Sequence, residues 1–367
     1  MRIAIIGSRG IPAKYGGFET FCEKISVILS NGGHVVTVIG EKGNSSNAKK
    51  FDGVNICESA FRKSKNPVLF YWDSLFKTRK RFDVVIVCGV GAALFYPLLK
   101  KGKTTLVTNV DGLEHLRGKF RFLKKLYVRL AQIAAGKWSD FIVVDSDGIG
   151  EYWKKNYKGI VEKIRMLAYG ADQVTFVQVD GLQSFGLIEG TYYLVIARLV
   201  PENHIREIIE GFLLSGSSKS LVIVGGLEDN SYVRALKSQQ SKGILFTDAI
   251  YDKNKLDSLR KGAFAYIHGH SVGGTNPSLL EAMACSCVCI CHDNIFNREV
   301  TNQEQLYFRN KKHLSLQLAQ MENMASSDLN NYKNKSLARV QSAYSWEKIG
   351  NQYLQFLKFI NERKHSL

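Results

Sequence analysis

Short apolar runs rich in valine and isoleucine alternate with helical patterns along the whole chain, and this alternation constrains the fold more than any other feature. In the first half the runs lie at Arg2–Ile6, Val35–Ile39, Val84–Val87, Thr105–Val107 and Phe141–Val144, with helical patterns at Phe18–Leu29, Phe120–Ala135 and Gly148–Asn156. Uninterrupted β-branched runs are typical of strands buried on both faces of a sheet. The sequence therefore predicts an α/β fold with parallel sheets covered by helices.

A second series of the same kind predicts a second domain. Its strand patterns lie at Tyr192–Ala197, Leu221–Val224, Ile244–Phe246, Phe264–Ile267 and Val288–Ile290, after a glycine-punctuated stretch over residues 170–190. A chain of 367 residues also exceeds what one core usually holds. We predict two doubly wound domains, residues 1–172 and 173–345, and a helix within 346–367 that packs back on the first domain. Ligands are expected at the carboxyl ends of the strands.

The charge of the chain is strongly positive and unevenly distributed. Its formal net charge is +17, and residues 1–180 hold 29 basic against 16 acidic residues, a net of +13. The first domain is therefore expected to meet an anionic partner. A hydrophobic content of 45% excludes disordered and collagen-like classes. Seven cysteines without an export signal, and no apolar run of about 20 residues, predict a cytoplasmic protein with reduced thiols.

Two polar segments of the first domain follow predicted strands. Gly16 and Gly17 precede the helix that begins near Phe18, where exposed backbone amides favour anion binding, although a tight structural turn would need the same glycines. After the fourth strand, Asp111, Glu114 and the neighbouring histidine could orient or deprotonate a hydroxyl group. Alternatively, Asp111 only caps the next element.

Residues 117–137 contain seven basic side chains and no acidic one. Apolar residues recur at helical spacing, and basic residues lie on another face: Arg121, Lys124, Lys125 and Arg129. Such a helix suits a surface of anionic lipid headgroups. A stripe facing the core with a solvated basic back is the alternative. Nucleic acid binding is a third interpretation, but no reader motif accompanies the charge, so we expect no nucleic acid partner.

Two clusters with metal-ligand residue types have simpler interpretations. Asp145-Ser-Asp147 stands where a strand meets a helix, so capping is favoured over magnesium binding. Cys285, Cys287, Cys289 and Cys291 alternate without the spacing of a zinc knuckle and are better explained as buried thiols. We expect no metal and no cofactor.

The strongest motif runs from His268 to Ala284 in the second domain. A strand ends, glycines turn the chain, and Pro277 opens a helix whose first amides, with Thr275 and Asn276, can hold a diphosphate. One turn later Glu281 can accept hydrogen bonds from a ribose. Arg198, at the end of an earlier strand, is placed to contact the same phosphates.

With these motifs assembled, the chain resembles the retaining family 4 glycosyltransferases, over nearly its whole length. The segments 10–20, 109–114 and 273–284 are similar to a narrower bacterial group, the β-1,4-rhamnosyltransferases of capsule and O-antigen synthesis. The resemblance implies the GT-B fold, with two Rossmann-like domains facing each other across a cleft. It implies donor binding by a set of residues from both domains: Gly16, Gly17, Arg198, Asn203, His270, Gly274, Thr275, Asn276 and Glu281.

The chain departs from the family pattern at four positions. Asn203 stands where the family usually has a lysine, and Gly273 stands where an EX7E motif would have its first glutamate. Ser271 replaces an acidic residue of the narrower group, and Asp111 takes the place of a frequent histidine.

The resemblance implies transfer of a sugar, rhamnose from dTDP-rhamnose, with retention onto a saccharide linked to polyprenyl diphosphate. Asp111 and Glu114 would position this acceptor, and Arg121, Lys124, Lys125 and Arg129 would face an anionic membrane. The expected location is the inner face of the cytoplasmic membrane, in surface polysaccharide biosynthesis. The alternatives are a nucleotide-sugar 2-epimerase of the same fold and a non-catalytic basic protein that binds lipid or nucleic acid.

Overall fold

A computed structural model describes residues 1–14, 16–45, 48–99, 103–110, 112, 122–175, 180–239, 241 and 243–365. The chain divides into two compact units. Unit 1 comprises the described residues up to Tyr169 together with the C-terminal segment from Trp346, and unit 2 comprises Gly170–Ser345. The chain passes from unit 1 to unit 2 after Tyr169, whereas the sequence predicts the boundary after residue 172.

Unit 1 is an eight-stranded sheet with helices. Its strands are β1 (Arg2–Ile6), β2 (Val35–Gly40), β3 (Lys50–Phe51), β4 (Val54–Glu58), β5 (Val84–Cys88), β6 (Thr105–Asn109), β7 (Phe141–Val144) and β8 (Ile164–Met166). Its helices are α1 (Gly16–Asn31), α2 (Pro67–Thr78), α3 (Phe122–Trp138), α4 (Asp147–Asn156) and, at the C-terminus, α13 (Trp346–His365), with 3-10 turns at Ala93–Leu98 and Val161–Lys163. The strand order is β3-β4-β2-β1-β5-β6-β7-β8, and all neighbours are parallel except β3 and β4.

Helix α13 contributes to the core of unit 1. Tyr353 and Leu357 are fully buried there, in one cluster with Phe21 and Ile25 of α1. The rings of Tyr353 and Phe21 lie 5.6 Å apart. Asn109, at the end of β6, donates a hydrogen bond of 3.3 Å to the Tyr353 hydroxyl. The last 20 residues of the described chain thus pack with the first helix.

Unit 2 is a six-stranded parallel sheet with helices. Its strands are β9 (Tyr192–Ile196), β10 (Ser220–Val224), β11 (Ile244–Thr247), β12 (Ala265–His268), β13 (Cys289–His292) and β14 (Leu306–Phe308), in the order β11-β10-β9-β12-β13-β14. Its helices are α5 (Asp180–Gln183), α6 (Ile205–Ser215), α7 (Ser231–Lys237), α8 (Lys253–Gly262), α9 (Pro277–Ala284), α10 (Ile295–Val300), α11 (Lys311–Glu322) and α12 (Ser326–Arg339), with a 3-10 turn at Pro201–Asn203 and a π-helical turn at Val340–Tyr344. The predicted α/β fold with parallel sheets is confirmed.

Asparagine side chains fix where several helices of unit 2 begin. The side-chain oxygens of Asn230, Asn276, Asn294 and Asn310 accept hydrogen bonds from backbone amides in the first turns of α7, α9, α10 and α11. Such caps satisfy amides that have no partner within the helix. Helices α10 and α11 therefore begin shortly after the ends of β13 and β14, and Asn276 fixes the start of α9 after the longer turn that follows β12.

No helix among the described residues combines the length and the apolar character needed to cross a membrane.

Candidate functional site

Hydrogen bonds at the carboxyl end of the unit 2 sheet tie the loop after β9 to the start of α9. The carbonyl of Ile196 lies 3.1 Å from the hydroxyl of Tyr266 and 3.0 Å from that of Ser278. The two hydroxyl groups are 2.6 Å apart. Arg198 follows two residues after this carbonyl and is exposed, and no described residue contacts its guanidinium group through a hydrogen bond or ion pair. A free cation and a helix N-terminus therefore share one edge of the sheet.

The turn into α9 has a backbone that only glycine adopts easily. Gly273 has a φ of +137°, and a Cβ there would lie 3.6 Å from the His270 ring. Gly274 and Thr275 are buried, and the Asn276 side chain accepts a hydrogen bond of 2.9 Å from the Ser278 amide. A glutamate at position 273 would strain this turn, which is a physical reason for the departure from the EX7E pattern.

Glu281 is held by a buried arginine. One of its carboxylate oxygens forms an ion pair with Arg260, whose other guanidinium arm donates to Asp257 at 3.0 Å. Arg260 is 2% exposed, whereas the Glu281 side chain is 32% exposed. Burial acts to lower the pKa of Arg260, but the Glu281 and Asp257 carboxylates keep it above the ordinary value. The second oxygen of Glu281 remains available to a hydroxyl group of a ligand.

Asn203 is packed inside the loop after β9. Its amide donates to the Arg198 carbonyl at 2.8 Å, and the residue is 2% exposed. A Cβ on Gly269 would lie 2.1 Å from the Asn203 carbonyl oxygen. Ser271 donates to the Glu202 carbonyl from its amide and its hydroxyl, at 3.2 and 3.0 Å. These hydrogen bonds join the loop after β9 to the loop after β12. The Asn203 side chain itself binds the backbone carbonyl of Arg198.

Three buried polar atoms beside these loops have no hydrogen-bond partner within the described part of the chain. They are Oε1 of Glu202, Oδ1 of Asn203 and Nε2 of His268. Burial, with His270 and His292 nearby, holds the pKa of His268 well below its usual value, so the ring is neutral. Buried polar atoms are costly without partners, and such atoms commonly mark a place where a ligand or water binds. His270 is half-buried and its ring centroid lies 5.9 Å from that of His268.

In unit 1, the buried Glu19 and the half-buried Glu23 and Lys63 hold the glycine-rich loop after β1. Glu19 accepts a hydrogen bond from the Arg9 amide, and Glu23 accepts one from the Ala13 amide, both of 2.7 Å. Lys63 donates to the Gly7 carbonyl at 2.6 Å. Burial raises the pKa of Glu19, although the Arg9 amide and Lys63 act in the opposite direction. The loop is therefore fixed from both sides.

The remaining predicted residues of the first domain are only partly described. Gly16 is exposed with a φ of +78°, and Gly17 follows it in the first turn of α1. Asp111, Glu114 and Arg121 lie outside the described residues.

The apolar stripe of α3 faces away from the core. Leu126, Leu130 and Ile133 are 45%, 47% and 50% exposed, whereas Val128 and Ala131 are buried. The alternative interpretation, a stripe that faces the core, therefore does not hold for these three residues. Lys124 and Arg129 are exposed and Lys125 is half-buried.

Neighbouring elements of unit 1 also carry exposed apolar residues. Helix α3 packs against the 3-10 turn Ala93–Leu98, which in turn contacts α2. Leu94 and Leu98 of the turn, and Trp72 and Phe76 of α2, are exposed. The rings of Trp72 and Phe76 stack at 5.7 Å. We refer to the exposed apolar residues of α2, the 3-10 turn and α3 as the apolar face of unit 1.

The cysteines and the Asp145-Ser-Asp147 segment behave as structural elements. All seven cysteines are free, and Cys285, Cys287, Cys289 and Cys291 are buried. They do not form a metal-ligand group with each other among the described residues. Ser146 caps α4 by accepting from the Ile149 amide at 3.3 Å, which confirms the capping interpretation.

Sequence reasoning missed the residues that position the site rather than contact a ligand. Arg260 lies in a short, charge-rich helix whose sequence resembles a solvated surface helix, so nothing in the pattern indicates that it is buried. Glu19 and Lys63 are far apart in the sequence, and only the fold brings both of them to the loop after β1.

Two family models match different parts of the chain. The model described as "Glycosyl transferases group 1" matches residues 187–337. The model described as "Domain of unknown function (DUF1972)" matches residues 1–61 and 78–172. A comparison with curated proteins finds no matching sequence.

Solved structures with the same fold cover almost the whole chain. A sucrose-phosphate synthase from Thermosynechococcus elongatus has a TM-score of 0.81 at 15% identity, covering 99% of each chain. A glycosyltransferase from Rickettsia africae has a TM-score of 0.72 at 16% identity and 98% coverage of both chains. Anabaena HepE in complex with UDP-glucose has a TM-score of 0.75 at 13% identity, covering both chains completely. The protein thus has the GT-B fold, and its residues 187–337 form a domain of the group 1 glycosyl transferases.

Proposed function

We propose that the protein is a retaining glycosyltransferase that transfers rhamnose from dTDP-rhamnose to a saccharide linked to polyprenyl diphosphate. Unit 2 binds the nucleotide-sugar, and unit 1 binds the acceptor. The group 1 glycosyl transferases domain supports the transferase activity. The similar HepE structure contains UDP-glucose, which supports a nucleotide-sugar as the donor class. Rhamnose is inferred from the resemblance of three motifs to bacterial rhamnosyltransferases.

The observation that carries the proposal is the arrangement at the carboxyl end of the unit 2 sheet. The hydroxyl groups of Tyr266 and Ser278 meet at the Ile196 carbonyl, which brings the loop of Arg198 to the start of α9. Glu281 stands one turn into the same helix. A cation, a helix N-terminus and a carboxylate are together suited to a nucleoside diphosphate.

Each group then has a defined task in the transfer. Arg198 and the amides near Thr275 and Asn276 neutralise the diphosphate as it leaves the sugar, so charge that develops in the transition state meets preorganised donors. Glu281, fixed by Arg260, accepts hydrogen bonds from the ribose hydroxyl groups. His270, Gly274 and Asn203 complete the donor site of unit 2, with Asn203 acting through the Arg198 loop. Gly16 and Gly17 are further proposed donor-binding residues. These groups provide the donor site without a metal ion.

The acceptor side of the proposal rests on charge and exposed apolar surface. Unit 1 holds most of the net charge, and on α3 the exposed Arg129 lies next to the exposed apolar stripe of Leu126, Leu130 and Ile133. An apolar surface beside basic residues favours binding at the surface of an anionic membrane. A lipid-linked acceptor at the inner face of the cytoplasmic membrane fits this surface. Asp111 and Glu114 are proposed to position the acceptor hydroxyl, in surface polysaccharide biosynthesis.

Substitution of Glu281 tests the donor site. Glu281→Gln keeps the shape and a hydrogen bond to Arg260 but replaces charged hydrogen bonds to ribose by neutral ones, so dTDP-rhamnose should bind about 10-fold more weakly. Isothermal titration of both proteins measures the change, with thermal unfolding as the check on folding. The control is Glu304→Gln, which alters a surface pair with Lys335. Equal affinity of wild type and Glu281→Gln would contradict the assigned role.

A further inference from the structure

A second group of ligand-type side chains lies in unit 2, outside the residues assigned to the donor. His204, Glu207 and His292 each offer one nitrogen or oxygen atom, and these atoms all lie within 4.8 Å of one another. Within the residues that the structure describes, no other group of three or more His, Cys, Asp or Glu side chains is this close. Their convergence comes from the fold, because His292 is 85 residues from Glu207 in the sequence.

The backbone at position 204 is left-handed. His204 caps α6 with a φ of +52°, a conformation that glycine adopts most readily and that asparagine, aspartate and histidine also adopt. Its side chain makes no capping hydrogen bond. The imidazole instead points to Glu207, with 2.9 Å between Nδ1 and the carboxylate. A histidine here adds a metal-binding group where a smaller residue would suffice for the turn.

His292, the third residue of the group, is held in place by a strand and by a neighbouring aromatic ring. His292 ends β13, and its ring stacks on that of His204, with centroids 4.2 Å apart and planes inclined by 23°. The edge of the buried Phe308 ring lies against it, at a centroid distance of 5.5 Å. One imidazole is thus anchored in the sheet, while His204 and Glu207 are 25% and 39% exposed and reachable from solvent.

We propose that His204, Glu207 and His292 bind a zinc ion. Two imidazoles and one carboxylate form a ligand set that zinc favours, with a fourth position open to water. Zinc bonds of about 2.0–2.1 Å require ligand atoms roughly 3.4 Å apart in a tetrahedron. Because a zinc ion lies in the plane of each imidazole that binds it, the accessible side chains of His204 and Glu207 rotate, His204 out of its stack on His292, to surround the ion, while His292 stays in place.

Zinc at this position would connect two strand ends next to the donor loop. His204 directly follows the turn Pro201–Asn203, and Asn203 holds the Arg198 carbonyl. The ion would therefore join the loop after β9 to the end of β13. This gives zinc a stabilising role in unit 2 that is independent of the transfer chemistry.

Direct metal binding tests the proposal without an activity assay. The full-length protein is stripped with a chelator, desalted, and titrated calorimetrically with Zn²⁺. A parallel titration with Co²⁺ is read by visible absorption. The variants are His204→Asn, which suits the left-handed backbone, Glu207→Gln and His292→Asn. The matched control is His313→Asn on α11, a histidine whose ring contacts Gln317 and belongs to no such group.

Wild type and His313→Asn should bind one Zn²⁺ per chain, and each of the other variants should lose about 10-fold or more in affinity. The cobalt spectrum should lack thiolate charge-transfer bands. Zinc should also raise the unfolding temperature of wild type but not that of His204→Asn. Equal binding by wild type and the three site variants would overturn the proposal. Thiolate bands in the cobalt spectrum, which would place the ion on the cysteines, would overturn it as well.

Discussion

The proposed donor site depends on one residue having no side chain. Gly269 follows β12, and the loop that carries Arg198 lies directly against its backbone, because Asn203 folds inward to hold that loop. A methyl group at position 269 would meet the Asn203 carbonyl oxygen at 2.1 Å, a contact that backbone atoms cannot relieve cheaply.

Gly269→Ala should therefore lower the unfolding temperature, at a cost of about 1–3 kcal/mol, and weaken nucleotide-sugar binding. Gly226→Ala is the matched control, since a Cβ there has nothing within 4 Å. That variant should be neutral or slightly stabilising. Thermal unfolding and dTDP-rhamnose titration of both proteins measure the effects. Similar behaviour of the two variants would show that the loop contact does not matter.

Residue types at strand ends were predictable, but their partners were not. Arg198, Thr275 and Glu281 follow from a general rule, because ligands of parallel sheets bind at the carboxyl ends of strands. The pairing of Arg260 with Glu281 required the structure, since it joins two helices that are separated by β12. The contacts of Asn203 likewise depend on which loops the fold brings together.

Among the secondary-structure elements, helix α3 has a periodic apolar pattern with two interpretations, and the structure distinguishes between them. The spacing of Leu126, Leu130 and Ile133 indicates a single face of the helix, but spacing alone does not say what covers that face. The structure buries Val128 and Ala131 on the other side and leaves the stripe exposed. We propose that this exposed stripe contacts a membrane surface.

Leu130→Glu should reduce binding to vesicles of anionic phospholipid more than 10-fold. The change removes up to about 1.5–3 kcal/mol of apolar burial and adds a charge repelled by the lipid. Sedimentation with vesicles measures the bound fraction. The control is Leu214→Glu on α6, which is 57% exposed in unit 2. If wild type fails to sediment, or both variants bind like wild type, the membrane assignment is wrong.

Most strands were predictable, including the edge strand β11, but four short or interrupted strands were not. Strands such as β5 and β7 are apolar throughout and buried on both faces, so composition alone identifies them. In contrast, β3, β8 and β14 have two or three residues each, and β4 is interrupted by Asn55. Strands so short carry too few residues to form a pattern.

At the level of the whole molecule, the C-terminal helix α13 packs into the same hydrophobic core as the first helix, α1. Leu357 of α13 is fully buried in the core cluster of unit 1, so Leu357→Ala should destabilise the protein by about 2–5 kcal/mol. Lys358→Ala, at the neighbouring exposed position, should have little effect. Urea unfolding followed by circular dichroism measures both. Equal midpoints for the two variants would contradict the role of α13.

A sugar-transfer assay is the most direct test of the proposed glycosyltransferase activity. Purified protein is incubated with dTDP-rhamnose labelled in the sugar and a synthetic saccharide linked to polyprenyl diphosphate, in anionic vesicles with chelator present. We expect the label to move to the lipid and the product to keep the anomeric configuration of the donor. Transfer only from a UDP- or GDP-sugar would reject rhamnose. Conversion of the nucleotide-sugar without acceptor, or no reaction with any donor by folded protein, would contradict the transferase.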